Sequence, residues 1–142
     1  MDELIDFLQD IPIFVNLTRG QLEDLLDIIQ VYEFDENAVI AYQRDVANSM
    51  YIVQNGRLYA QRVKQGIVHE SHQYGEGAVI GEEWLFAAHT HPATITAASD
   101  GRLLLIPSQD FIKFLIANPE ALDRLEPGEG YDGPYGLSPE HG

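Results

Sequence analysis

What most constrains this chain is a succession of eight short β-prone runs between residues 31 and 107, each followed within a few positions by turn-forming residues. The runs are 31–34, 38–41, 49–53, 58–63, 67–69, 78–80, 94–97 and 102–106. Segments this short bury enough surface only by packing against one another, so the texture predicts an antiparallel sandwich or barrel. Asn55-Gly56 predicts a tight hairpin with a primed turn, since both residue types tolerate positive φ. Gln65-Gly66 predicts the hairpin that follows.

Helical patterns flank the β region. Leu4, Ile5 and Leu8 predict a short amphipathic helix that Pro12 terminates for want of a backbone donor. Thr18 is placed to cap a second helix, Gln21 completes a capping box, and Leu22, Leu25, Leu26 and Ile29 form its core stripe. Beyond Pro107, Ser108 is placed to cap a third helix carrying Phe111, Phe114 and Leu115, which Asn118-Pro119 ends. Residues 120–125 add one more turn. Residues 126–142 are rich in Gly and Pro without a periodic apolar face and read as a linker or tail after a domain spanning 1–125.

A length of 142 residues suits one domain with a modest core. With 23 acidic against 8 basic residues the net charge is −15, which repels nucleic acid and anionic membrane surfaces. No apolar run reaches the roughly 18 residues of a membrane span. The acidic start, Met1-Asp2-Glu3, lacks the basic region of a secretory signal, so a cytoplasmic location is expected. The lack of cysteine removes disulfides, thiol nucleophiles and thiolate metal sites together.

One stretch carries chemistry: Ile80-Gly81-Glu82-Glu83-Trp84-Leu85-Phe86, followed by His89-Thr90-His91-Pro92-Ala93-Thr94. It stands in order and at matching distances behind Pro12-Ile13-Phe14-Val15-Asn16-Leu17-Thr18 and behind Met50-Tyr51-Ile52-Val53 with Asn55-Gly56. Across residues 11–125 this pattern resembles the cyclic-nucleotide-binding domain family. The resemblance implies a mostly β fold with flanking helices: an eight-stranded antiparallel β-roll or jelly-roll barrel, short N-terminal helices and a C-terminal helix.

The resemblance also implies a site. Gly81-Glu82 would open the phosphate-binding cassette, Glu82 would accept a hydrogen bond from the ribose hydroxyl, and Ala93 and Thr94 fit the segment that follows. Four positions depart from the pattern. Glu83 and Trp84 bring charge and bulk where the family has small apolar residues, and His91 stands where it has the arginine that holds the cyclic phosphate. An imidazole of ordinary pKa, about 6.5, is mostly neutral at pH 7 and lacks the paired donors of a guanidinium. Pro92 has no N–H to offer the phosphate. The candidate ligand-contacting residues are therefore Gly81, Glu82, Glu83, Trp84, His91, Ala93 and Thr94, with no required cofactor.

The leading expectation is a non-catalytic regulatory module that does not bind cyclic AMP or cyclic GMP tightly. It would serve another small ligand, or close its pocket with Trp84 and make protein contacts, its effector lying beyond Gly142 in a longer protein; pairing with a second copy is left open. One alternative is a true nucleotide sensor in which protonated His91, or a basic residue from elsewhere, replaces the arginine. Another is a cupin-like metal domain using His69 with His72, or His89 with His91. Glu82 and Glu83 form a carboxylate pair, but no nucleophile or oxyanion donor accompanies them, so no enzyme is expected. Arg57, Arg62 and Lys64 concentrate positive charge on one predicted hairpin and read as solvated strand edges, with an anion site as the alternative.

Overall fold

Each strand expected from the sequence forms, and two further strands of two residues join them. A computed structural model of the chain describes residues 2–81 and 89–124. Helix α1 (Asp2–Gln9), a 3-10 turn (Pro12–Phe14) and α2 (Arg19–Leu26) lead into the β region. There follow β1 (Gln30–Phe34), β2 (Val39–Ala41), β3 (Val46–Ala47), β4 (Ser49–Asn55), β5 (Leu58–Lys64) and β6 (Ile67–Tyr74). The series ends with β7 (Val79–Ile80), β8 (His89–Thr90), β9 (Thr94–Ala97), β10 (Gly101–Pro107), α3 (Ser108–Ala117) and α4 (Pro119–Arg124). The expected tail, 126–142, lies outside the described residues.

Two four-stranded antiparallel sheets form the roll, ordered β1-β10-β4-β7 and β2-β9-β5-β6, and β3 pairs with β8 in a small third ladder. The first sheet is covered on both faces at its centre, as β4 shows, whose Met50, Tyr51, Ile52 and Val53 are all buried. Tyr51 and Val53 face the roll interior together with Phe34, Ile80 and Leu103. Met50, Ile52, Leu104 and Ile106 face a second core built from Leu8, Phe14, Leu22, Leu25 and Phe111 of the helical segments. A strand covered on both sides reads as a continuous apolar run. The second sheet instead alternates along β5 and β9, with one face in the roll and the other toward solvent.

The flanking helices follow their local signals. Thr18 Oγ1 accepts the Gln21 N–H at 3.1 Å while Gln21 Oε1 accepts the Thr18 N–H at 2.9 Å, the reciprocal bonds of a capping box. Ile29 falls beyond α2 and reaches the helical core from the connection that follows. Pro12 does not stop α1, which ends at Gln9; it opens the 3-10 turn, where its missing N–H costs nothing. Ser108 does not cap α3. Pro107 holds that position, Ser108 is the first helical residue, and its buried hydroxyl finds no hydrogen-bond partner among the described residues.

The two turn predictions part company. Gln65 (φ 54°) and Gly66 (φ 75°) both adopt left-handed backbone and join β5 to β6 as a two-residue hairpin. Asn55-Gly56 makes no hairpin, because β4 and β5 belong to different sheets. Gly56 (φ 88°) turns the chain from one sheet to the other against Gly101. The corner is held by the Arg57 N–H donating to Ser99 Oγ at 3.0 Å and the Ala98 N–H donating to the Arg57 carbonyl at 2.8 Å. No helix among the described residues is long and apolar enough to cross a membrane.

Candidate functional site

The site begins where β7 ends. Ile80 pairs with Tyr51 on the wall of the roll, and Gly81, buried and at φ 92°, turns the chain away from the sheet. A side chain is strained at that φ, which accounts for glycine at the start of the cassette. Glu82, Glu83 and Trp84 lie outside the described residues. In β8, Thr90 pairs with Val46 and His89 with Ala47.

His91 continues that ladder. Its N–H donates to the Asp45 carbonyl and its carbonyl accepts the Arg44 N–H, each at 2.8 Å. Only 3% of His91 is exposed, and its ring lies parallel to that of Tyr51, with planes 10° and centroids 6.2 Å apart. Burial pushes the imidazole pKa below its ordinary value, and the charge of Asp45 offsets part of that shift. Burial likewise raises the Tyr51 phenol, keeping it protonated.

The residues after His91 divide between the two faces of the second sheet. Ala93 is fully buried in the roll core, and Pro92 is half-buried. The Thr94 hydroxyl accepts the Gln43 N–H at 3.0 Å, on the face opposite Ile95. The side chain of Gln43 then reaches β5, donating from Nε2 to the Val63 carbonyl at 3.0 Å and accepting the Val63 N–H at Oε1 at 2.9 Å. Sequence reasoning missed Gln43, for which no local pattern exists. Of the described candidate residues, Gly81 follows the Tyr51 partner Ile80, His91 lies against Tyr51, Ala93 is in the roll core, and Thr94 is engaged on the outer side of its sheet.

The basic cluster of the β5–β6 hairpin is not one group. Arg57 and Lys64 are exposed, as solvated strand residues are, whereas Arg62 is 7% exposed and bonds Glu70 Oε1 through Nη1 at 2.9 Å. The reading of Arg62 as a solvated edge is therefore corrected. Leu58 and Ala60 already marked the buried face of β5, and Arg62 shares it by the two-residue period.

The described histidines do not assemble into a metal-binding group. His72 of β6 pairs with Ala60, whereas His69 falls at the register shift between the Glu70 and Val68 pairs, where regular alternation is broken. Among the described residues, no three His, Asp or Glu side chains stand close enough to hold a metal ion. His141 is not among those residues.

A helix-flanked β-roll with a glycine-opened cassette between two of its strands defines a ligand-binding regulatory domain. Residues 31–118 match the sequence model described as the cyclic nucleotide-binding domain, and the chain belongs to that family. It is 24% identical over 110 residues to the cAMP-dependent protein kinase regulatory subunit of Hypocrea atroviridis, covering 78% of this chain and 23% of that one. The chain thus spans about a quarter of that relative. Among solved structures it resembles the N-terminal domain of a transcriptional regulator from Streptomyces coelicolor A3(2), with a TM-score of 0.78 and 25% identity, covering 84% of this chain and 85% of that one. The sensor domain of the transcriptional regulator DNR from Pseudomonas aeruginosa shares the fold, with a TM-score of 0.73 and 20% identity over 85% of this chain and 82% of that one.

Proposed function

We propose that this domain is a non-catalytic regulatory module that does not hold cyclic AMP or cyclic GMP tightly and whose roll serves another ligand or a protein contact. The observation that carries this reading is the state of His91. The position that carries the phosphate-binding arginine in the family pattern is filled here by an imidazole that is 3% exposed and laid against Tyr51. Burial lowers its pKa, so it is uncharged at neutral pH. A cyclic phosphate then meets no charge-assisted pair of donors from this residue. Pro92 supplies no amide hydrogen, and Glu83 adds a negative charge to the segment that would face the anion. A hydrogen bond to a charged group contributes about 1.5–3 kcal/mol, so losing the guanidinium alone weakens binding roughly ten- to a hundredfold.

Calorimetric titration with cyclic AMP and cyclic GMP at pH 7.5 and pH 6 tests this. The expected result is no saturable heat at submillimolar nucleotide at either pH. Micromolar binding at pH 7.5 overturns the reading, and binding that appears only at pH 6 replaces it with a sensor that uses protonated His91.

A further inference from the structure

We propose that Arg62 is an anion-reading group on the inner wall of the roll, taking a phosphate or carboxylate group of a small ligand in exchange for its contact with Glu70. This rests on the reading that the roll serves a ligand other than a tightly held cyclic nucleotide. The placement of Arg62 comes from β5, where Leu58, Ala60 and Arg62 occupy one face and the first two belong to the roll core. Gln61 pairs with Thr94, so the next position in the antiparallel sense sets Arg62 beside Ala93, at the end of the cassette segment. Arg62 therefore stands on the roll-facing side of the strand next to the one that His91 precedes, with its guanidinium reaching toward Glu70 on β6.

Its setting resembles a held reagent more than a structural strut. A guanidinium keeps its charge at any pH proteins experience, so the roll interior carries a permanent cation in a chain of net charge −15. Removing that cation from water is repaid only when an anion meets it, and an apolar side chain of similar volume would stabilise a core at least as well. The anion that meets it here is the more exposed of the two partners. Glu70 pairs with Arg62 across β5 and β6, but its side chain is 29% exposed against 9% for that of Arg62.

β6 forms one edge of its sheet, so Glu70 can turn toward water while an incoming oxyanion takes its place. Carboxylate and phosphate oxygens match the paired donors of a guanidinium in the same way that Glu70 does, and Arg62 stays paired throughout the exchange. His72 lies on the same face of β6, exposed and in edge contact with Tyr74 at 4.7 Å, next to the path that Glu70 would vacate.

The test follows the Arg62 Nε–H resonance of the isotope-labelled chain while inorganic phosphate, 5′-AMP and succinate are added separately, with calorimetry on the wild type, Glu70→Gln and Arg62→Gln. Binding of at least one probe, with the Arg62 resonance shifted, is expected. Glu70→Gln should bind that probe severalfold more tightly because the competing carboxylate is gone, and Arg62→Gln should bind it at least about tenfold more weakly. Phosphate and 5′-AMP responding without succinate assigns a phosphate ligand, and the reverse assigns a carboxylate. An Arg62 resonance unmoved by all three probes at millimolar concentration overturns the proposal, as does affinity unchanged in Arg62→Gln. Should Arg62→Gln not fold, the wild-type resonance and Glu70→Gln decide it. Tight cyclic AMP binding in the separate nucleotide titration would instead overturn the weak-nucleotide reading, so the two failures are told apart.

Discussion

The rings of His91 and Tyr51 lie parallel, with planes 10° and centroids 6.2 Å apart, and this slipped stack ties the end of the cassette segment to the wall of the roll. The separation exceeds the contact distance of two flat rings, so the two are offset and not face to face. Both residues are buried, at 3% and 6% exposure, and a proton added to His91 would place a charge inside that packing.

A pH dependence of stability follows. Burial lowers the folded-state pKa of His91, so the unfolded chain binds this proton more tightly than the folded one. The stability that His91 contributes is complete above its unfolded pKa of about 6.5 and is lost as the pH falls through its folded-state pKa. Urea unfolding of the wild type and His91→Gln between pH 7.5 and pH 5 measures this. The wild type is expected to lose more stability over that interval; equal losses would place the titration on other groups.

Restoring the charged anchor should restore nucleotide binding only in part. His91→Arg supplies the guanidinium, but Pro92 still withholds a backbone donor, so His91→Arg combined with Pro92→Ser is expected to bind cyclic AMP at least about tenfold more tightly than the wild type. The single variant should fall between the two. Placing an arginine in a site 3% exposed should cost about 1–3 kcal/mol of stability through overpacking, read as a lower urea midpoint. Calorimetry showing no gain in the double variant would mean that Glu83 and Trp84, not the anchor, set the weak binding.

Most of the fold was legible because its signals are local. Thr18 and Gln21 are three residues apart, the Gln65-Gly66 turn contains its own requirement for positive φ, and the eight runs mark the strands directly. What could not be read depends on distant partners. Asn55-Gly56 looks like a hairpin until Gly101 comes to lie against Gly56, and β3 and β8 have no pattern because two residues make no period. Ser108 was displaced from its capping role by a one-residue shift to Pro107. Of the site, the sequence named Gly81, His91, Ala93 and Thr94, but burial sets the state of His91, and the inward face of Arg62 needed Leu58 and Ala60 to be read with it.

Gln43 is expected to matter beyond its half-buried position. Its side chain satisfies both the N–H and the carbonyl of Val63, next to the register shift between Arg62 and Val63, while its main chain is held by Thr94. Gln43→Ala leaves two backbone groups without those partners and should cost about 1–3 kcal/mol. Hydrogen exchange at the Val63 amide should accelerate in the variant more than exchange at Leu104, in the far sheet. Equal acceleration at both would mean that the substitution only lowers global stability.

Two glycine substitutions separate steric exclusion from backbone strain. Gly101 has no positive φ, so alanine there is conformationally ordinary, but its Cβ would run into the Asn55 carbonyl oxygen and stand 2.6 Å from the Phe34 ring and 2.9 Å from Gly56 Cα. Two of those neighbours are backbone and the third is a buried ring, so none yields cheaply, and Gly101→Ala should cost more than about 3 kcal/mol. Gly66 is the reverse case, with φ at 75° and none of the described residues within 4 Å of an added Cβ. Gly66→Ala therefore meets only the left-handed penalty of about 1 kcal/mol. Urea denaturation of both variants should rank Gly101→Ala well below Gly66→Ala in midpoint. The opposite order would mean that the corner between the sheets opens more readily than the contact of Gly56 with Gly101 implies, and that the β5–β6 turn, which carries the strands of Arg62 and Glu70, is the less forgiving of the two.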